Sequence, residues 1–265
     1  MEAFGAWNLE SLIAVGGLGE VWRANKPGSP DAALKRIHTH LARNDEILGQ
    51  FALEQELATT LPHHPNVIGA HAAGDVDGRP FLAMHLAPGE DLRRILAKAA
   101  EANRPTTRPR ARAIQIVVQA CDAAAHLHAH GYAHGDINPG NLVVDDGDHT
   151  TLVDLGVARR LDGPPGAVRG THAYMAPEQV RGEPWTTATD VFALGVVLWE
   201  LASGARLFHR GPPWLSLAAV VEAPAPALAD RELDAIAQAA LVKDPAQRLA
   251  SASELAERLR AVISS

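Results

Sequence analysis

The run His134-Gly135-Asp136-Ile137-Asn138-Pro139-Gly140-Asn141 sets a carboxylate ahead of an amide, and Asp154-Leu155-Gly156 adds a second carboxylate after a short apolar stretch. On neighbouring loops these are the groups that magnesium-assisted phosphoryl transfer requires: one to orient an acceptor hydroxyl, two to hold the metal. Upstream, Val15-Gly16-Gly17-Leu18-Gly19-Glu20-Val21 lies in a strand-turn-strand setting where missing side chains let backbone amides approach a phosphate. A glycine-rich hairpin turn is by itself the commoner meaning of such a segment. Lys35, on the next strand in Ala32-Ala33-Leu34-Lys35, adds a cation able to reach nucleotide phosphates. That lysine needs a carboxylate to fix it, and the following helix offers Glu46, Glu54 and Glu56. The choice falls on Glu54, because Glu56, two residues on, points to a different helix face.

The elements that must position these groups change character along the chain. Leu12 to Val15, Val21 to Ala24 and Ala32 to Ile37 read as strands of a small antiparallel sheet, broken by the turn Pro27-Gly28-Ser29-Pro30. Ile47, Leu48, Phe51, Leu57 and Leu61 give Asp45 to Leu61 a helical spacing that ends at Pro62. Phe81 to Leu86 is a further strand. After Pro88-Gly89 amphipathic helices dominate, with a long one predicted over Arg112 to His130. The fold class is therefore α+β, with a strand-rich part followed by a larger helical one.

A chain of 265 residues with 47% apolar side chains can bury a sizeable core. Its net charge of -7 argues against a general affinity for nucleic acid or anionic membranes, which depends on positive surface. Met1-Glu2-Ala3-Phe4 lacks the pattern of a signal peptide, and the longest apolar candidate, Val191 to Leu201, is too short to span a bilayer and contains Glu200. Cytoplasmic placement is the expectation, with no direct membrane insertion of this segment. The single cysteine, Cys121, rules out an internal disulfide, and its place in the stripe Ile114, Val117, Val118, Cys121 predicts a buried helix face.

Other conspicuous residues have plainer readings. Arg104, Arg108, Arg110 and Arg112 stand among prolines between Asn103 and Arg112, as in a solvated connection between helices. His126 with His130, and His63 with His64, lack the further ligands of a zinc site. Trp185, Trp199 and Trp214 are expected to pack in the core.

Taken in order, the glycine loop, Ala33-Leu34-Lys35, Glu54, His64-Pro65-Asn66, His134-Gly135-Asp136, Asn141, Asp154-Leu155-Gly156, Gly170-Thr171 and Ala176-Pro177-Glu178 resemble the landmarks of a serine/threonine protein kinase catalytic domain. The resemblance is to the eukaryotic-like kind found in bacteria, and Asp190 to Gly195 and Arg248 extend it over nearly the whole chain. It implies a bilobal fold, with a small β-rich N-lobe over residues 1–86 and a hinge and helical C-lobe over 87–265. It implies ATP and Mg2+ as cofactors and a protein substrate with a Ser or Thr acceptor. Asp136 would orient and deprotonate that hydroxyl, Asn141 and Asp154 would hold magnesium, and Lys35 paired with Glu54 would bind phosphates. Ile13, Ala14, Val15, Gly16, Gly17 and Gly19 would cover the nucleotide. Val21 and Ala33 on one side and Val143 on the other would enclose the adenine, with Met84 as gatekeeper and backbone groups of His85 and Ala87 forming hinge hydrogen bonds. Thr171 would hydrogen-bond near Asp136, Glu178 would pair with Arg248, and Asp190 would brace the catalytic loop.

Four departures matter. Ala14 stands at the first loop glycine, and Leu155 replaces an aromatic residue. Gly135 replaces an arginine that in many relatives receives an activation-loop phosphate, and the only hydroxyl from Val157 up to Tyr174 is Thr171, so loop phosphorylation is not expected to be needed for activity. Asn138 stands where the family has a lysine that neutralises the transferred phosphoryl group. Losing one such contact costs about 3 kcal/mol, or about a hundredfold in rate, which predicts a slow enzyme. A pseudokinase that binds nucleotide or a partner without useful turnover is the rival reading. A small-molecule kinase of the aminoglycoside-phosphotransferase kind is the third, opposed by Gly170 to Glu178 and Arg248.

Overall fold

The computed structural model describes residues 2–102, 109–161, 163 and 170–263. The chain divides into two compact units, Met1–Ala87 with Asp154–Gly156, and Pro88–Val153 with Val157–Ser265. Residues 103–108 of the basic connection, and residues 162 and 164–169 of the segment leading to Tyr174, lie outside the described residues.

The first unit holds strands β1 (Glu2–Phe4), β2 (Trp7–Val15), β3 (Gly19–Asn25) and β4 (Ala32–Ile37), helix α1 (Asp45–Thr60), and strands β5 (Ala70–Val76) and β6 (Arg79–His85). The strands form one antiparallel sheet in the order β1-β2-β3-β4-β6-β5. Alternation along β4 sends Ala32 and Leu34 into a core with Phe4, Trp7, Leu9, Ala24, Phe81 and Ala83, while Ala33 and Lys35 take the other face. Phe4 meets Phe81 edge-on at 5.9 Å, so the short β1 closes this core. Gly19 is required by the sheet itself, since a side chain there would run into the Arg36 carbonyl of β4. Helix α1 starts at Asn44, whose side chain accepts from the Ile47 amide at 3.1 Å, and carries Asp45 and Glu46 at its positive end.

The second unit contains β7 (Glu90–Asp91), α2 (Leu92–Glu101), α3 (Arg110–Ala129), β8 (Tyr132–Ala133), β9 (Leu142–Val144), β10 (Thr150–Leu152) and β11 (Arg159–Arg160). Helices α4 (Pro177–Val180), α5 (Thr187–Ser203), α6 (Pro213–Glu222), α7 (Arg231–Ala240) and α8 (Ala252–Ile263) follow. Helix α3 packs against α5 and α8, and its stripe Ile114, Val117, Val118 and Cys121 is buried as its spacing predicts. Burial pushes the Cys121 thiol far above its ordinary range, which suppresses its reactivity. Helix α5 is buried on all sides from Ala188 to Leu201. Its Glu200 is satisfied there by Tyr174 Oη at 2.6 Å, Arg206 and the Leu207 amide. Among the described residues no helix is long and apolar enough to cross a membrane.

Trp185 and Trp199 are buried, but Trp214 is not: at 66% exposure on the first turn of α6, it corrects the expectation that all three serve the core. The edge strands β1 and β5 were not visible in the sequence pattern. Up to its final valine, Ala70–Val76 is built from alanine, glycine, histidine and aspartate, which carry little strand preference, and β6 recruits it through six register pairs.

Candidate active site

Within the first unit, Lys35 pairs in register with Val21 on one side and Leu82 on the other, so two neighbouring strands fix its backbone. Its Nζ donates to Glu54 Oε1 at 2.7 Å, to Glu54 Oε2 at 2.8 Å and to Asp154 Oδ1 at 2.7 Å. Glu54 belongs to the buried face of α1 with Phe51, Leu57 and Ala58, whereas Glu56 is exposed, so helix periodicity alone separates the two glutamates. Burial works against the Lys35 charge, but the Asp154 and Glu54 carboxylates outweigh it and raise the lysine pKa above its ordinary range. Burial pushes Glu54 up to about 7, with the Lys35 ammonium opposing the rise and the Asp154 charge adding to it.

Asp154 is held with a left-handed backbone, φ 65°, uncommon for a residue with a side chain and a place where strain is stored. Gly156 keeps the cluster open, because a Cβ there would lie 3.0 Å from Lys35 Nζ, Asp154 Oδ1 and Glu54 Oε2 alike. Gln50 of α1 donates to the Gly156 carbonyl and ties this segment to the helix.

The second unit builds its loop around buried Asp190. Asp190 Oδ2 accepts from the His134 amide at 2.8 Å and faces His128 Nε2 at 2.9 Å, and Oδ1 accepts from the Gly135 amide at 2.8 Å. Burial alone would raise the Asp190 pKa, but the His128 hydrogen bond and charge, the His134 charge and the Gly135 amide bring it below the usual value. Asp136 Oδ1 accepts from the Thr171 amide at 2.7 Å and Oδ2 from Asn141 Nδ2 at 3.0 Å, while its carbonyl accepts from Asn138 and Asn141. The carboxylate is thus oriented from two directions. The link to Thr171 runs through the backbone amide, where sequence reasoning looked to a threonine at that position without distinguishing amide from hydroxyl. With its nitrogen given to Asp136, Asn141 has its side-chain oxygen as the atom able to face a cation.

Buried Glu178 and Arg248 form a two-bond pair at 2.7 and 2.9 Å, and Arg248 also donates to the carbonyls of Val242, Ala188 and Lys243. Among the nucleotide-lining candidates, Ile13, Ala14 and Val15 end β2, Gly16 and Gly17 form the turn, closed by a Gly16 amide to Gly19 carbonyl bond of 2.8 Å, and Val21 and Ala33 sit on β3 and β4. Met84 and His85 end β6, and Ala87 closes the first unit's main segment. The His85 amide donates to the Gly69 carbonyl at 2.9 Å, so a ligand's hydrogen bond at this residue would use the carbonyl. Val143 lies on β9 of the second unit.

Sequence reasoning did not find Arg93, whose Nη2 donates to Asn138 Oδ1 at 2.7 Å, or His38, whose Nε2 lies 3.0 Å from the Gly16 carbonyl. No periodicity or spacing signals either pairing.

A family model described as protein kinase domain matches residues 7–259. Serine/threonine-protein kinase PknJ of Mycobacterium tuberculosis is 31% identical over 277 residues, covering 98% of this chain and 46% of PknJ. PknA of the same organism is 32% identical over 275 residues, covering 97% of this chain and 61% of PknA. The crystal structure of the M. tuberculosis PknI kinase domain, a point mutant, matches with a TM-score of 0.75 at 26% identity, covering 98% of this chain and 96% of that one. The chain spans about half the length of the curated relatives it matches. By the reach of the family model and the identity to these kinases, the chain belongs to the protein kinase domain family.

Proposed function

We propose that this chain transfers the γ-phosphoryl group of ATP, with Mg2+, to serine or threonine hydroxyls of a protein substrate. The observation that carries the reading is the Lys35 ammonium held at 2.7 Å from both Glu54 and Asp154. A lysine so fixed presents a cation to phosphates without further ordering. Asn141 and Asp154 would hold magnesium: both offer hard oxygen donors, and the Asp154 side chain is 49% exposed. When bound, the metal neutralises phosphate charge.

In the transfer, a bond forms between the acceptor oxygen and the γ-phosphorus and the bond to the bridging oxygen of ADP breaks. Asp136 accepts the hydroxyl proton, its carboxylate kept in position by Asn141 and the Thr171 amide. Asn138, where the family has a lysine, is the one feature behind the slow-turnover and pseudokinase readings.

Phosphate transfer from ATP to Ser/Thr peptides and to the chain itself, measured with and without Mg2+, tests the reading. Asp136→Ala is expected to lower kcat by about a hundredfold or more. Nucleotide binding with no transfer above the Asp136→Ala level would establish the pseudokinase instead.

A further inference from the structure

The loop that carries Asp136 has asparagine at 138 and glycine at 140, and one arginine accounts for both. Arg93, in the first turn of α2, sends Nη2 to Asn138 Oδ1 at 2.7 Å. The same oxygen accepts from the Gly140 amide at 2.9 Å, and Asn138 Nδ2 donates to the Asp136 carbonyl at 3.0 Å. Asn138 is 1% exposed, so it is a buried bridge with its amide used at both ends, joining the backbone of Asp136 to a guanidinium. Any Cβ at position 140 would fall 2.5 Å from Arg93 Nη2 and 2.8 Å from its Cζ. Only glycine at 140 lets the guanidinium lie against the loop. Helix α2 is fixed in turn by its cap, the Asp91 carboxylate accepting from the Arg94 amide at 3.0 Å, and by buried Leu92.

A lysine at 138 would project one charge from the loop itself. Here the loop residue is neutral, and a permanent charge comes from α2 and is clamped to that residue. Arg93 is exposed, and a guanidinium carries five donors in a fixed fork, of which Asn138 takes one. The fork can therefore meet an anionic oxygen while remaining tied to the loop.

We propose that Arg93 supplies the positive charge that the Asp136 loop lacks, with Asn138 and Gly140 serving to seat it. The assignment rests on the phosphotransfer reading and deepens it. Arg93 acts on the transferred phosphoryl group electrostatically, so its removal lowers kcat and leaves the binding of ATP alone.

The test is a cycle of Arg93→Met, Asn138→Lys and the double variant in the full chain, with Arg93→Lys as the conservative change. Arg93→Met is expected to lower kcat about tenfold or more, less than a fully buried contact would because solvent screens the exposed group. KM for ATP and the melting temperature stay near wild type. Asn138→Lys then recovers most of the loss in the Arg93→Met background and gains little in the wild type. Arg93→Lys falls between.

An unchanged kcat in Arg93→Met overturns the assignment. So does a loss confined to KM for an acidic peptide, which would make Arg93 a docking residue, or an equal gain from Asn138→Lys in both backgrounds. A wild-type chain with no transfer overturns the phosphotransfer reading and this assignment together. Transfer by the wild type with no effect at Arg93 overturns this assignment alone.

Discussion

The indole of Trp185 occupies the space into which a side chain at position 135 would extend, so Gly135 and Trp185 fill one site between them. Arg159 stacks over the Trp185 ring at 4.5 Å, and the Gly135 carbonyl accepts from buried Gln179 at 2.9 Å. Where an arginine would wait for a phosphate, this protein has an aromatic ring and an adjacent cation already in place. Packing against Trp185 and the bond from Gln179 hold the Gly135 segment in this position.

Restoring the family arginine should therefore do harm. Gly135 has φ +76°, and Gly135→Arg would require a left-handed backbone and displacement of Trp185. A loss of about 3 kcal/mol is expected, from backbone strain and overpacking together. Thermal melting checks the stability, and phosphatase treatment should leave the activity of wild type and variant unchanged. A variant as stable as wild type, with activity that now depends on phosphate, would refute the account.

Asp190 organises the Asp136 loop through two backbone amides and His128. Hydrogen bonds to a buried charge are worth about 1.5–3 kcal/mol each, so Asp190→Ala should cost several kcal/mol and abolish transfer with it. Its folded pKa lies below the ordinary aspartate value of 3.8. A depressed carboxylate stabilises the fold above its unfolded value and loses that contribution as pH falls through the folded one. Wild type should therefore lose stability below about pH 4 more steeply than Asp190→Asn, which starts lower. Parallel acid melting profiles would remove Asp190 from this role.

The Glu178 and Arg248 pair is buried on both sides, at 1% and 0% side-chain exposure. Breaking such a pair strands a charge, so Arg248→Ala should cost about 3–5 kcal/mol. Replacing both partners removes the stranded charge, and Glu178→Leu with Arg248→Met should recover part of the loss. The three carbonyls that Arg248 also serves keep the recovery incomplete. Urea unfolding of the single and double variants gives the two energies. A double variant less stable than Arg248→Ala would mean that the carbonyl bonds dominate.

Much of this was legible in the sequence because it follows from short-range pattern. The spacing of α1 separates Glu54 from Glu56, alternation in β4 puts Lys35 opposite Leu34, and the ordered motifs carry Asp136, Asn141 and Asp154. What could not be read depends on partners far apart in the chain. Nothing in Gly135 announces Trp185, and nothing in Asn138 announces Arg93, because the partners lie some 45 to 50 residues apart and meet only when the chain is folded: Trp185 on the loop before α5, Arg93 on α2. Strand β5 was hidden for a related reason: its pairing with β6, and not its own composition, makes it a strand. Trp214 shows the converse, since its aromatic character suggested burial that α6 does not provide.

The Lys35 and Glu54 pair should make activity and stability respond oppositely to pH. Burial raises Glu54 from 4.5 to about 7. A carboxyl raised on folding binds its proton more readily in the folded state, so its contribution is fully present below 4.5 and is lost as pH rises toward 7. The shift corresponds to about 3 kcal/mol. Between pH 5 and 8 the melting temperature of wild type should therefore fall relative to that of Glu54→Gln, which has no proton to lose. Activity runs the other way: below pH 7 a protonated Glu54 no longer holds Lys35 as an ion pair, and transfer should decline on the acid side. Glu54→Gln should be about tenfold or more slower and lack that acid limb, because a neutral amide holds the lysine less firmly at every pH. Melting curves and pH-rate profiles of the two proteins decide it, and identical slopes in both would mean that Glu54 stays charged across this range.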